Sequence, residues 1–348
     1  MILYEQRNLP VLQNRMYDSR EEALASPTGD IRLIQDRATG LIYNQAFQPA
    51  LVRYDASYQN EQGKSSHFQK HLGIVMKMIQ RLLGSDGLIE IGCGKGVFLE
   101  LLATNGFAIS GFDPAYEGNN PRIHRKFFQK GTKIRARGLI LRHVLEHIPD
   151  PSGFLRDLCE ANQNQGLIYI EVPCLDWICR TRSWYDIFHE HVNYFRIQDF
   201  HRLFGRVLEI GRVFGGQYLY VVAELSSLRR AEFGNEKLFR FPPDFCAGIQ
   251  ANPRESQATC VVWGGASKGV IFSLLRSRAG FPVEAVVDIN PAKQGKFLPG
   301  TGLEVQPPAQ VLKSLAASSI IYVMNPNYLE EIKAMTKNRF TYIVPGHE

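Results

Sequence analysis

Between residues 68 and 83, apolar side chains return every three or four positions: Phe68, Leu72, Ile74, Val75, Met78, Ile79, Leu82 and Leu83. That spacing predicts an amphipathic helix, ended by Gly84. The period then changes. Four short, almost continuous apolar runs follow at 88–91, 108–112, 138–141 and 167–172. They alternate with helical stretches, one of which, "DPSGFLRDLCEAN", starts at Asp150 or Ser152. Apolar strands alternating with helices predict a parallel sheet covered on both faces, a doubly wound α/β fold. "FRIQDFHRLFG" and "GGQYLYVVAEL" add a closing helix and strand. Upstream, residues 1–50 are mixed and turn-rich, and "DIRLIQD" and "GLIYNQAF" are expected to pair as a hairpin. From residue 258 the order strand, glycine turn, helix, strand, acid returns in "CVVWGGASKGVIFSLLRSRAGFPVEAVVDINP". The expected division is a small N-terminal domain (1–53), an α/β domain (54–225), a connecting segment (226–257) and a second Rossmann-like α/β domain (258–348).

At 348 residues the chain fits two or three domains of about 150 residues each. Its net charge of +6 is spread along the chain, which argues against a nucleic-acid partner and suits an anionic small substrate. None of the six cysteines forms a C-x-x-C pair, so buried free thiols in a reducing cytoplasm are expected. No apolar run approaches the ~18 residues that span a bilayer, and "MILYEQRNLP" lacks a signal-peptide layout. A cytoplasmic protein without a membrane partner follows. Monomer and dimer stay open.

Candidate chemistry starts in "LIEIGCGKGVFLELLATNGFAISGFDP". Its glycines, Gly92, Gly94 and Gly96, stand at relative positions 1, 3 and 5. A dinucleotide turn has them at 1, 3 and 6. With Glu90, the pattern E-x-G-x-G-x-G resembles motif I of class I S-adenosylmethionine methyltransferases. That resemblance implies S-adenosyl-L-methionine as cofactor. Asp113, 21 residues after Gly92 (113 − 92), is placed to accept hydrogen bonds from ribose hydroxyls. "LILRHVLEHIPDP" resembles the fourth-strand motif of the same family, and puts Arg142 and His143 at the cofactor. His147 is read as capping or packing. "IYIEVP" resembles the fifth strand, with Glu171 near its end.

"YDIFHEHVNYF" gathers His189, Glu190 and His191. The two histidines at i and i+2 would share one face of a strand but lack a visible third metal ligand, so no metal is expected. Imidazole beside a carboxylate suits general acid/base work better. The segment resembles the "E-H" signature of C-methyltransferases acting on nucleotide-linked 4-keto-deoxysugars. The resemblance implies His191 as the base that removes the proton beside the ketone, with Glu190 and His189 next to it. It also marks Tyr54, Tyr58, Gln59 and Asn60 as substrate contacts. The strings W-G-x-x-x-K-G and N-P-x-K-x-G-x-x-x-P-G resemble the family's C-terminal domain, where Lys268 joins Gly264, Gly265 and Gly269 at a helix start. That turn either grips the acceptor's diphosphate, with Asp288 and Lys296 on the same rim, or only closes the site. Two departures stand out. Asp36 and Thr39 fall where the family has a zinc-binding cysteine pair, and Phe188 replaces a common tyrosine. The alternatives are an O- or N-methyltransferase, an NAD(P)-dependent oxidoreductase and a non-catalytic cofactor-binding protein.

Overall fold

The computed structural model describes the chain except residues 54–57, 59–62, 64, 130, 133–134, 235, 251–254, 256–257 and 347–348. The expected contacts Tyr54, Gln59 and Asn60 lie outside the described residues.

The N-terminal part holds β1 (Ile2–Pro10), α1 (Arg20–Leu24), β2 (Thr28–Gln35) and β3 (Ile42–Asn44). The middle part runs α2 (Ser66–Leu83), β4 (Leu88–Ile91), α3 (Val97–Thr104), β5 (Ile109–Phe112), β6 (Ile123–His124) and β7 (Gly138–Arg142). It continues with α4 (Pro151–Ala161), β8 (Leu167–Pro173), α5 (Leu175–Arg180), β9 (Asn193–Tyr194), α6 (Ile197–Leu203), β10 (Val207–Val213) and β11 (Tyr218–Glu224). The C-terminal part is β12 (Cys260–Trp263), α7 (Ser267–Arg278), β13 (Ala285–Val287), β14 (Val305–Gln306), α8 (Pro308–Ser314), β15 (Ile320–Val323), α9 (Leu329–Met335) and β16 (Thr341–Ile343).

The central sheet has the order β10-β11-β8-β7-β4-β5-β6. Its β8-β7-β4-β5-β6 portion is parallel, and β11 and β10 close it antiparallel. Alternation along β4 decides what each face carries. Ile89 and Ile91 join the core beneath α4, while Leu88 packs with Leu72, Val75, Ile79 and Leu83 of α2. Each such side chain contributes roughly 1.5–3 kcal/mol when fully buried. Helix ends follow the sequence signals: Gly84 ends α2, and the Asp150 carboxylate accepts from Gly153 N–H to cap α4. The C-terminal sheet is wholly parallel, β14-β13-β12-β15-β16.

The hairpin expected around residue 38 forms as β2 and β3. At its turn, Asp36 Oδ1 accepts from Ala38 N–H, Thr39 N–H and the Thr39 hydroxyl at 2.9, 2.6 and 2.9 Å. The carboxylate closes this turn with its own hydrogen bonds. One pairing was not expected. β9, from mid-chain, adds to the N-terminal sheet next to β3, through Ile42↔Tyr194 and Tyr43↔Asn193. The segment just before β9 carries His189, Glu190 and His191, so that sheet anchors it.

Candidate active site

Parallel α/β sheets bind ligands beyond the carboxyl ends of their strands. Here those ends from both sheets open on one cavity of about 450 Å³. Its wall includes the Gly92–Lys95 turn after β4, Arg142 and His143 at the end of β7, Glu190 and His191, and Ala266–Gly269 at the start of α7.

Gly92 has φ +68°, and a Cβ there would lie 2.6 Å from Val144 Cγ2. Only glycine fits this close, left-handed passage. Beside Gly94 a Cβ would meet nothing within 4 Å, because that side of the loop is open. Glu90 is buried at the cavity wall, and its Oε2 has no hydrogen-bond partner. Burial, against the pull of the Arg142 charge, raises its carboxyl to about 7. An ammonium group is the natural counter-ion for such an orphaned carboxylate. Asp113 stands behind the loop rather than on the cavity wall; its two oxygens accept from Gly94 N–H at 2.7 Å and Ala115 N–H at 2.8 Å. A carboxylate has acceptor capacity beyond two such bonds.

Arg142 and His143 both reach Glu171. Arg142 Nη2 lies 3.1 Å and His143 Nε2 3.2 Å from Glu171 Oε1, and His71 Nε2 lies 3.2 Å away. Tyr169 donates to Glu171 Oε2 at 2.6 Å. Burial alone would raise the Glu171 carboxyl, but Arg142, His143 and His71 hold it well below the ordinary range. Burial would lower His143; its contacts with Glu146 and Glu171 outweigh that and push it up to about 9. His143 adopts φ +55°, a strained conformation for a non-glycine residue.

The H-E-H segment is a turn, not a strand, so its two histidines part. His189 is fully buried away from the cavity; its Nδ1 is 3.0 Å from the Asp30 carbonyl oxygen and its ring stacks on Phe47. Gly29 makes room for it, since a Cβ there would sit 2.4 Å from the imidazole. His189 is therefore a packing residue, which corrects the expectation that it joins the catalytic group. His191 faces the cavity, with its ring centroid 4.1 Å from that of Phe188 and 4.9 Å from that of His147. Burial, with the neighbouring charges of His147, His143 and Lys268, holds its imidazole well below the ordinary value. The turn is pinned by Val192 N–H to the Glu146 carbonyl at 2.8 Å and by Asn193 Nδ2 to the Ile148 carbonyl at 2.6 Å. Glu190 is buried and accepts from the Tyr58 hydroxyl at 2.7 Å.

Lys268 lines the cavity, but Asp186 Oδ2 lies 2.7 Å from its Nζ. Asp288 repeats the arrangement of Asp113: it accepts from Gly265 N–H at 2.9 Å and Asn290 N–H at 2.8 Å, and it does line the cavity. Lys296 does not; it pairs with Asp18 at the surface, and Lys293 takes the place expected for it. Glu146 and His147 also line the cavity, the latter read from sequence as packing only. Their side chains meet His191 through the β7–α4 connection, and no local spacing announces that.

A family profile described as "Methyltransferase domain" matches residues 55–207, and one described as "C-methyltransferase C-terminal domain" matches residues 245–343. The C-methyltransferase NovU of Streptomyces niveus is 25% identical over 324 residues, covering 80% of this chain and 76% of that one. The chain is an S-adenosylmethionine-dependent methyltransferase whose second domain matches the C-terminal domain of C-methyltransferases. This methyltransferase also matches the ubiquinone biosynthesis O-methyltransferase of Methylobacterium nodulans, 31% identical over 98 residues, 24% of this chain and 39% of that one. Among solved structures, the methyltransferase domain of bacterial CtHen1-CN covers 46% of this chain and 100% of its own at 19% identity, with a TM-score of 0.35. The dinucleotide reading of the first glycine turn gives way, as its 1-3-5 spacing foreshadowed. So does the reading of a fold without an enzyme's function.

In the methyltransferase the Gly92 turn has a direct test. Gly92→Ala forces the loop away from Val144 or out of its left-handed bend, which costs ~1–2 kcal/mol. S-adenosylhomocysteine should bind about tenfold more weakly by titration calorimetry. Unchanged affinity would show that this turn does not shape the cofactor site.

Proposed function

We propose that this methyltransferase transfers a methyl group to carbon in a nucleotide-linked keto-deoxysugar, with His191 as general base. S-adenosylmethionine, when bound, supplies an electrophilic methyl group on a sulfonium. The chain's residues supply the rest. Glu90 is suited to the cofactor's ammonium, and the Gly92–Gly96 turn and Asp113 to its remaining polar groups. A carbon beside a ketone becomes nucleophilic only after losing a proton. The observation that carries the reading is the position of His191: a half-buried imidazole, on the wall of the cavity that the cofactor turn shares, with its depressed basicity keeping it neutral and able to accept. It would take the proton, leaving the C–H electron pair in an enolate whose carbon could accept the methyl group, the C–S pair departing with S-adenosylhomocysteine. Glu190, held by Tyr58, and the adjacent His147 set the ring's surroundings.

The C-terminal turn suits the nucleotide part of the acceptor. Backbone N–H groups at the start of α7 favour phosphate, and Lys268 and Lys293 flank them. Both lysines have a carboxylate nearby, Asp186 and Asp288, so the grip on a diphosphate would be moderate. Asp288, the counterpart of Asp113, is suited to ribose hydroxyls. All six cysteines are free, and among the described residues no helix is long and apolar enough to cross a membrane. We place the reaction in the cytoplasm on that basis.

The test is product analysis. With isotopically labelled S-adenosylmethionine and a panel of nucleotide-linked 4-keto-6-deoxysugars, a new carbon-bound methyl should appear by NMR. In deuterated water without cofactor, the acceptor's α-proton should exchange. An oxygen- or nitrogen-bound methyl, with no exchange, would replace this reading.

A further inference from the structure

We propose that Glu146, His147 and His191 form a site for one divalent transition-metal ion, zinc by preference, and that an ion there silences proton abstraction. The three offer ligand atoms that all lie within 4.8 Å of one another on the cavity wall. Two imidazoles and a carboxylate are a zinc donor set that leaves a fourth position open, here toward the cavity.

Each member is prepared in a different way. Glu146 is 1% exposed, and neither carboxylate oxygen has a hydrogen-bond partner. Its cationic neighbour, His143 Nδ1, stands 3.5 Å away and out of hydrogen-bond alignment. A buried carboxylate left so needs a cation. His147 Nδ1 lies 2.9 Å from the Glu190 carbonyl oxygen. Donating there puts the lone pair on Nε2, the outer-contact arrangement that orients ligating imidazoles. His191 meets His147 edge-on at 4.9 Å between centroids, and its ring makes no hydrogen bond among the described residues. Tetrahedral zinc with N and O ligands spaces them roughly 3.4 Å apart. Closing to that distance takes a shift of about an ångström in side chains of this length. His143 and Lys268 oppose a cation here, while Glu146 and Glu190 favour one.

The silencing clause rests on His191 being the base. An imidazole whose basic nitrogen binds an ion carries its proton on the other nitrogen, so no lone pair remains to take the acceptor's proton. Ion binding and proton abstraction then exclude each other.

The experiment uses the full-length enzyme stripped with a chelator and titrated with zinc alone, by calorimetry and by cobalt(II) absorption. One equivalent should bind saturably. Glu146→Gln and His147→Asn should each weaken binding at least about tenfold, while S-adenosylhomocysteine affinity shows that both variants remain folded. Zinc should stop methyl transfer, and chelator should restore it. No saturable zinc binding, or equal affinity in both variants, overturns the site. Saturable binding with full activity overturns the silencing and His191's role as base, but leaves the metal site standing.

Discussion

His191→Ala should lower methyl transfer by about 10³-fold, within the 10²–10⁴-fold range of a positioned general base. S-adenosylhomocysteine should bind this variant within about twofold of the parent, a difference of under 1 kcal/mol. The same variant should lose exchange of the acceptor's α-proton with deuterated water. Exchange isolates proton abstraction from methyl transfer and from product release. His189→Ala should behave in the opposite way. That side chain fills the space left by Gly29 and stacks on Phe47, outside the cavity wall. Its loss should lower the unfolding temperature and leave exchange per folded molecule in place. A His191→Ala enzyme that exchanges and methylates at the parent's rate would remove the imidazole from the mechanism.

The second large effect is on stability. Glu171→Gln should destabilise the central sheet by about 3–5 kcal/mol, the cost of leaving buried charges without their partner. Arg142, His143 and His71 all converge on that carboxylate. The unfolding temperature should fall by roughly 10 °C. The pH dependence has a worked sign. Glu171 is depressed in the folded protein, so its contribution is complete above the ordinary carboxylate value of about 4.3 and is lost only as pH falls toward its own lower value. His143 is raised to about 9, so its contribution is complete below about 6.5 and is lost as pH rises through 9. Thermal scans should therefore show the wild type declining between these values. The variant should decline less, since only Glu146 would still hold the imidazolium. Equal unfolding temperatures across pH 5–9 would show that the carboxylate is not central to the packing.

Much of this was legible in the chain. The apolar runs that became β4, β5, β7 and β8 are buried on both faces, and burial leaves a continuous signal. Asp150 and Gly84 act locally, so neighbouring residues suffice to read them. The N-terminal sheet was harder. β1 pairs with β2 through two register irregularities, which break the alternation that marks a strand. β9 is two residues long and finds its partner some 150 positions away. The site divides in the same way. Glu90, Gly92, Arg142, His143 and His191 reach the cavity because each ends a strand or sits in a turn beside one. His189 was misplaced because a turn, not a strand, carries it. Glu146 and His147 went unassigned because only the docking of residues 143–148 on the turn before β9 brings them to His191.

That docking has a wider meaning for the enzyme. The turn bearing His191 is stitched to the first forty-odd residues by β9 on one side and to the cofactor sheet by Glu146 and Asn193 on the other. The proposed base of this chain thus sits at a suture between modules. Loosening either flank would unseat the imidazole even where every atom of the cofactor cradle stayed in place.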